Sequence, residues 1–258
     1  MKSTNRLWRW LGLICVLSFG ALGYLGWQIY LQAPPIPKTV VTTDGEVLFT
    51  GEQIQHGQQA WLSAGGQQLG TVWGHGSYVA PDWSADWLHR EAVALQSIRS
   101  AEQGKALSAM TEADKAAVNA RVREEMRRNT YDDINQTVKV SAERARAIRE
   151  VARHYEGLFG TEPSLAKLRD QYAMTEGTLP ENADRQALSA FFFWTSWAAS
   201  TERPGETNLS YTSNWPHEPL VGNTMTTSAA MWSMVSIILL LAGIAAMLWL
   251  HGRGNDEQ

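Results

Sequence analysis

Two long segments without a charged residue lie near the ends of this 258-residue chain, and they limit what it can fold into. Residues 11–31 and 229–250 are each long enough for a helix to cross the roughly 30 Å hydrocarbon core of a bilayer, at about 1.5 Å per residue. Prolines at positions 34, 35 and 37 predict where the first helix ends. The sequence therefore predicts two transmembrane helices that flank a large extramembrane domain.

A cleaved signal peptide is the alternative interpretation of the first segment. Its apolar run is longer than that of a typical signal peptide, and no Ala-x-Ala site follows it. We therefore predict an uncleaved span. Because Lys2, Arg6 and Arg9 precede it, both termini are expected in the cytoplasm and the domain on the outer side, which is the periplasm in a Gram-negative bacterium.

The predicted organisation has three parts. Residues 1–32 form the cytoplasmic start and first span, residues 33–226 a periplasmic domain, and residues 227–258 the second span with a short cytoplasmic tail. Both spans are rich in small residues, which let helices pack closely in lipid. Two interpretations stay open, packing of the spans on each other and docking onto further helices outside this chain. The small residues are Gly20, Gly23 and Gly26 in the first span, and Ala242, Gly243 and Ala246 in the second.

Charge and cysteine content exclude several classes of function. The net charge of -4 and the pI near 5.9 argue against a nucleic-acid-binding protein. Cys15, inside the first span, is the single cysteine. This excludes an internal disulfide, a zinc site built from several cysteines, and the Cys-x-x-Cys-His motif that attaches a c-type haem.

The extramembrane domain is expected to be mainly α-helical, with a small N-terminal β-hairpin. Residues 40–50 alternate around Asp44-Gly45, a dipeptide that favours a tight hairpin turn. Helix-capping signals begin three of the predicted helices, at Ser84, Thr111 and Ser141. The predicted elements are helices over 84–104, from 111 onward, over 141–160 and over 180–201, and a strand over 137–140.

Residues 203–223 form a long loop with three prolines just before the second span. Loops of this length in a compact domain are usually functional or packed against something. The aromatic and carboxylate content of this loop suggests a surface that another domain covers.

The histidines do not predict a metal site. His75 and His89 lack a typical ligand spacing, and neither span contains an internal histidine, aspartate or glutamate. The chain therefore offers no visible intramembrane haem site. The polar run His89-Arg90-Glu91 is expected on the exposed face of its helix.

Residues 57–83 are rich in glycine, glutamine and aromatic residues and are interpreted as a tightly wound binding loop. The frame Gly57-x-x-x-Trp61, followed by Gly74-x-Gly76-x-Tyr78-x-Ala80-Pro81, resembles the haem-attachment region of the cytochrome c subunit of nitric oxide reductases. Aligned without a gap, the two cysteines and the histidine of that family fall on Gly66, Leu69 and Gly70. The resemblance implies a domain that once wrapped a haem and has lost the groups that attach it.

This combination is similar to the N-terminal part of the quinol-dependent nitric oxide reductases, in which a haem-free cytochrome c-like domain precedes the catalytic core. Residues 73–91, 191–207 and 213–223 carry the same resemblance. It implies a module that caps and stabilises a core carrying haem b, haem b3 and non-haem iron. That core reduces NO to N2O with electrons from quinol. None of its metal ligands maps onto this chain, which is predicted to be inactive alone and to hold no cofactor.

The related two-subunit enzymes imply one further site. A calcium ion between their domains takes oxygens from the Gly-x-Tyr of the loop, which corresponds to Gly76 and Tyr78 here. The alternative is that Tyr78 only packs the loop. At the level of function, the alternative to the reductase module is a stand-alone two-span sensor or ligand-binding ectodomain, and a third interpretation is a decayed gene product.

Overall fold

The computed structural model describes residues 2–256, with side chains for residues 5–249, 251 and 252. Met1, Glu257 and Gln258, which the predicted terminal parts include, lie outside the described residues. The described chain is mostly helical with one small sheet, which confirms the predicted mainly α class. In chain order the elements are α1 (Lys2–Leu31), β1 (Thr39–Thr42), β2 (Val47–Thr50), α2 (Gly51–Ser63), α3 (Trp83–Glu102), α4 (Glu112–Arg127), β3 (Tyr131–Asp132), β4 (Thr137–Val140), α5 (Ala142–Phe159), α6 (Ala166–Gln171), α7 (Asn182–Ser200) and α8 (Thr227–Asp256).

Helices α1 and α8 are the two apolar helices at the chain ends. Their segments Asn5–Leu31 and Thr227–Trp249 are long and apolar enough to cross a membrane, which agrees with the two predicted spans. Within the described chain, no residue of either segment is buried. The structure therefore gives no support to the interpretation that the two spans pack closely on each other.

A four-stranded sheet lies at the start of the domain, in the order β2-β1-β4-β3. Strands β1 and β2 form the predicted antiparallel hairpin, with Gly45 in its turn at a φ of 91°. The strand predicted over 137–140 is β4, and it pairs in parallel with β1, placing Val138 opposite Val40. The sheet therefore ties the first segment after the membrane to the chain that leads into α5.

Side-chain caps fix where the helices begin. Thr111 and Ser141 cap α4 and α5 as predicted, each accepting a hydrogen bond from the amide three residues later. The predicted start of α3 at Ser84 is wrong. Asp82 is the cap, and the hydroxyl of Ser84 instead accepts a hydrogen bond from the backbone amide of Trp73, at 2.9 Å.

Helix α2 includes residues 57–63, which the sequence predicted to be part of the loop. Thr50 and Gln53 form a reciprocal capping box at its start, with hydrogen bonds of 3.2 and 2.9 Å. The helix packs along α7, where Gly57 faces the backbone of Ala187 so closely that a Cβ atom at position 57 would overlap the Ala187 carbonyl oxygen. Glycine at this position permits the two helices to approach each other.

The core has two adjoining parts. One is aromatic and lies between α2, α3, α5, α7 and the sheet. The other is aliphatic, lies between α3 and α4, and includes Val221 from the loop before α8. Full burial of one large apolar side chain stabilises the fold by about 1.5–3 kcal/mol. Because the aromatic part holds most of the large buried side chains, it contributes most of this stabilisation. Its largest fully buried members are Trp83, Trp87, Trp197, Tyr155, Phe159, Phe192 and Phe193.

Candidate functional site around the glycine-rich loop

The loop between α2 and α3 opens with a 3₁₀ turn over Gly66–Leu69. The interpretation of residues 57–83 as one loop is therefore corrected: the first part is helix α2, and only residues 64–82 form the loop. Gly65, Gly66 and Gly70 have φ angles of 119°, 54° and 128°. Residues with a side chain rarely adopt these backbone angles, so the local path of the chain depends on glycine.

The carboxylate of Asp82 holds the loop in place. Its Oδ2 accepts hydrogen bonds from the Thr71 hydroxyl at 2.7 Å and from the Gly74 amide at 2.6 Å. The Thr71 oxygen in turn accepts a hydrogen bond from the Gly76 amide, at 2.8 Å. Because Asp82 is only 6% exposed, this network is shielded from water and keeps the loop rigid.

The structure places Gly66 and Leu69 at the two ends of the 3₁₀ turn and Gly70 directly after it, with neither thiol nor imidazole among them. Gly70 lies against the indole of Trp83, and a Cβ atom at position 70 would overlap that ring. The indole Nε1 is buried and, in the described part of the chain, has no hydrogen-bond partner. These residues do not fit a covalently attached haem, because a histidine at position 70 requires Trp83 to move.

Trp83 is the centre of the aromatic cluster behind the loop. It has no solvent exposure. Its ring stacks on Phe192 at a centroid distance of 5.6 Å and an interplanar angle of 18°. The rings of Tyr155, Phe159 and Tyr172 meet it edge-on at 6.0, 5.4 and 5.9 Å. Such contacts are favourable beyond the burial of area, so the space directly behind Gly70 is occupied by protein side chains.

A buried ion pair lies beside this cluster. Glu91 is fully buried, and its two carboxylate oxygens accept hydrogen bonds from Arg144 Nε at 2.7 Å and from Trp87 Nε1 at 2.8 Å. The expectation that the run His89-Arg90-Glu91 lies on an exposed face is therefore wrong for Glu91. It holds for His89, whose side chain is 61% exposed.

Tyr155 joins the cluster to the polar side of α3. Its hydroxyl donates a hydrogen bond of 2.6 Å to Asp86, and Arg90 Nε donates one of 2.7 Å to the same oxygen. Burial, reinforced by the charge of Asp86, raises the pKa of Tyr155 well above its ordinary value. The phenol is therefore neutral at physiological pH and serves as a hydrogen-bond donor.

Arg127 organises the loop over residues 203–223. Its guanidinium donates hydrogen bonds to Asn223 at 2.9 Å, to Asn214 at 3.3 Å and to Glu202 at 3.3 Å. Asn214 and Asn223 are almost fully buried. Much of the loop therefore packs on its own domain, and the expectation that another domain covers its exposed part stays a prediction.

The two loops meet next to the end of α1. Trp215 Nε1 donates a hydrogen bond of 2.9 Å to the Gly74 carbonyl, and the His75 ring lies 4.8 Å from the Trp215 ring. His89 has a different partner, Glu218, at 2.9 Å from its Nδ1. The structure therefore gives His75 and His89 separate roles, each holding part of the last loop.

The comparison with protein families bears on this same region. A family model for the cytochrome c-like domain of NorB, a nitric oxide reductase protein, matches residues 37–217. The chain belongs to the NorB family. The match begins just after α1, includes the whole glycine-rich loop and ends at residue 217, inside the loop over residues 203–223. No curated protein matches the chain. With the two apolar helices, the family supports a protein of a bacterial membrane.

In this NorB domain, the Gly-x-Tyr segment of the loop faces solvent. Tyr78 is fully exposed and Val79 is 42% exposed, so the interpretation that Tyr78 only packs the loop is wrong. Among the described residues, the carbonyl oxygens of Gly76 and Tyr78 accept no hydrogen bond. The segment therefore combines carbonyl oxygens that accept no hydrogen bond from the described residues with an aromatic ring that faces solvent.

Calcium takes six to eight oxygen ligands. Gly76 and Tyr78 supply only a minority of that number. In the described part of the chain, no group of three or more histidine, cysteine, aspartate or glutamate residues could hold a metal ion. The calcium site stays a prediction that needs ligands from outside this domain.

Several features of this site were not predicted from the sequence. The Thr50-x-x-Gln53 capping box was a visible signal for α2. The packing of Trp83 on Gly70 had no comparable signal, because a pattern of glycines does not reveal which distant ring fills the space beside them.

Proposed function

We propose that this chain is the membrane-anchored, haem-free cytochrome c-like module of a quinol-type nitric oxide reductase. It caps and stabilises the catalytic core, which reduces NO to N2O and which is supplied either by further residues of the same polypeptide or by a separate protein. The observation that carries the proposal is the contact of Trp83 with Gly70 in a domain of this family. The position of the lost haem ligand is closed by a buried side chain.

The module has a structural role in this proposal. Donor atoms for haem b, haem b3 and non-haem iron are expected in the core, since residues 5–31 and 227–249 contain no histidine, aspartate or glutamate. When bound there, these groups carry the electron transfer and the reduction of NO. Quinol supplies electrons within the membrane, because the domain lacks the residues that attach a c-type haem.

Placement in the membrane follows from charge. Arg6 and Arg9 lie at the N-terminal end of the first span, before its uncharged part, so both termini lie in the cytoplasm and the domain lies in the periplasm of a bacterial inner membrane. From that side, the domain covers the outer end of the core and excludes water from it.

Tyr78 and Val79 form the surface that contacts the core. An exposed aromatic ring beside unpaired backbone oxygens is suited to burial in an interface, where tyrosine is enriched. In the proposed complex, a calcium ion lies here and joins the Gly76 and Tyr78 oxygens to oxygens of the core. Removal of calcium with EGTA is then expected to weaken the complex.

The test is co-purification of the full chain with the NorB catalytic core from the same organism. The wild-type chain is expected to co-purify, and Tyr78→Asp to lower the recovered core about tenfold, because it puts a charge into the apolar contact. Ile134→Asp, at another highly exposed apolar residue, is the matched control and is expected to bind normally. Failure of the wild-type chain to bind contradicts the proposed function, and binding would also argue against a stand-alone sensor.

A further inference from the structure

We propose that a groove at the outer end of α1 binds the phosphate headgroup of a membrane phospholipid, with Arg203 as the recognising cation. This inference requires that α1 spans the membrane. It does not depend on the proposed reductase function.

The groove lies where the chain leaves the lipid. The membrane-length part of α1 ends at Leu31. A groove of about 440 Å³ begins in the next turn, between α1 and the two loops that meet at Trp215. Its level therefore corresponds to the headgroup region of the bilayer. Its lining includes Ile29, Gln32, Trp73, Arg203, Tyr211 and Trp215.

The guanidinium of Arg203 is held in the groove by neutral groups. Its Nη1 donates a hydrogen bond of 2.6 Å to Gln32 Oε1, and its Nε donates one of 3.0 Å to the Ser210 carbonyl. Its Nη2 donates to the Tyr211 carbonyl at 3.2 Å and to the Ser213 hydroxyl at 3.1 Å. None of these four acceptors carries a charge.

In the described part of the chain, Arg203 forms no ion pair with a carboxylate. By contrast, the nearby Arg127 is paired with Glu202. The four hydrogen bonds of Arg203 also leave one of its five N–H groups, on Nη1, without an acceptor among the described residues. A phosphate oxygen would accept a hydrogen bond from that N–H, and its negative charge would balance the charge of Arg203. Guanidinium groups match the geometry of phosphate oxygens well.

The walls of the groove suit the rest of a lipid molecule. The indole N–H groups of Trp73 and Trp215 donate to the Thr195 and Gly74 carbonyls, at 2.8 and 2.9 Å, so both rings are held in fixed positions. Fixed aromatic rings at this level match the glycerol region of a bilayer. Ile29, on the membrane side, is 72% exposed and can lie along an acyl chain.

These features favour a lipid over free phosphate. One guanidinium in contact with water binds inorganic phosphate weakly, because the exposed ion pair gains little. A phospholipid adds burial of its glycerol and acyl atoms against the apolar wall. The groove therefore recognises a phosphate that arrives attached to a lipid.

The test uses the full chain, delipidated in a neutral detergent, with phosphatidylglycerol titrated in and bound lipid counted by native mass spectrometry. The wild-type chain is expected to bind one phosphatidylglycerol tightly, and Arg203→Gln to bind it about tenfold more weakly. Arg121→Gln removes an exposed arginine of α4 that does not line the groove, and it is expected to bind like the wild type. Inorganic phosphate at the same concentration is expected not to compete.

Arg203→Gln removes the hydrogen bond to Gln32 as well as the positive charge. A second variant therefore separates the two effects. Ser213→Asp puts a carboxylate beside the Arg203 guanidinium while Arg203 keeps its place. Ser213 has a φ of 57°, which aspartate tolerates. This variant is expected to keep the wild-type circular dichroism and to bind the lipid about tenfold more weakly. Wild-type affinity in Ser213→Asp, or competition by free phosphate, overturns the proposal.

Discussion

Arg144 Nε donates a hydrogen bond of 2.7 Å to Glu91 Oε1, and the two side chains are only 2% and 0% exposed. The pair links α5 to α3 across the interior of the domain, next to the aromatic cluster. Breaking a buried pair is costly because it leaves a charge without its partner in a medium that solvates it poorly.

Arg144→Met is therefore expected to lower the free energy of unfolding by about 3–5 kcal/mol, measured by urea unfolding of the full chain in detergent. Glu91→Leu combined with Arg144→Met is expected to recover most of this loss, because neither charge then remains buried. The control is Arg146→Met on the same helix, 56% exposed, which should change stability by less than about 0.5 kcal/mol. Similar losses for Arg144→Met and Arg146→Met would contradict this account.

Gly70 is expected to tolerate no side chain. At a φ of 128° and in contact with the Trp83 indole, Gly70→Ala adds backbone strain and overpacking, and a loss of about 3 kcal/mol is expected from thermal unfolding. Gly66→Ala is the matched control. Its φ is 54° and its added Cβ lies 3.5 Å from the nearest atom, in Leu62, so about 1 kcal/mol is expected. Equal losses at the two positions would show that Trp83 does not close the site.

His154 should make the domain less stable in mild acid. Burial, followed by repulsion from Arg90, lowers the pKa of His154 from 6.5 to about 4. The unfolded chain therefore binds the proton more tightly than the folded chain, and stability falls as the pH drops from 6.5 towards 4. Above 6.5, this histidine has no such effect.

His154→Gln is expected to flatten this part of the stability profile, measured as unfolding midpoints between pH 7 and about pH 4.5. Nearby carboxylates begin to titrate at the acid end, so the informative quantity is the difference between the variant and the wild type. His217→Gln, at an exposed histidine, serves as the control. If the stability of His154→Gln fell with pH as steeply as that of the wild type, His154 would not be the group that causes the fall.

The sequence was sufficient for features that depend on local signals. Uncharged length predicted α1 and α8, Asp44-Gly45 predicted the hairpin, and the caps at Thr111 and Ser141 predicted two helix starts. Each of these is decided within a few residues or within one continuous segment. A single cap was misplaced, because Asp82 and Ser84 both carry suitable oxygens and only the fold shows which one faces the helix amides.

Features that depend on distant partners could not be predicted. The charge of Glu91 suggested exposure, and only the approach of Arg144 from α5 makes its burial stable. The parallel pairing of β1 with β4 joins segments separated by three helices. The glycine-rich loop was recognised through its resemblance to a family, but the ring that fills the space beside Gly70 comes from packing that no local pattern encodes.

The central claim is that this member of the NorB family holds no haem in its cytochrome c-like domain. The most direct measurement is the absorption spectrum of the purified full chain, produced in a bacterium that also makes c-type cytochrome maturation proteins, beside a c-type cytochrome from the same host. The expected spectrum has protein absorption and no Soret band of stoichiometric intensity. One covalently bound haem per chain would contradict the account.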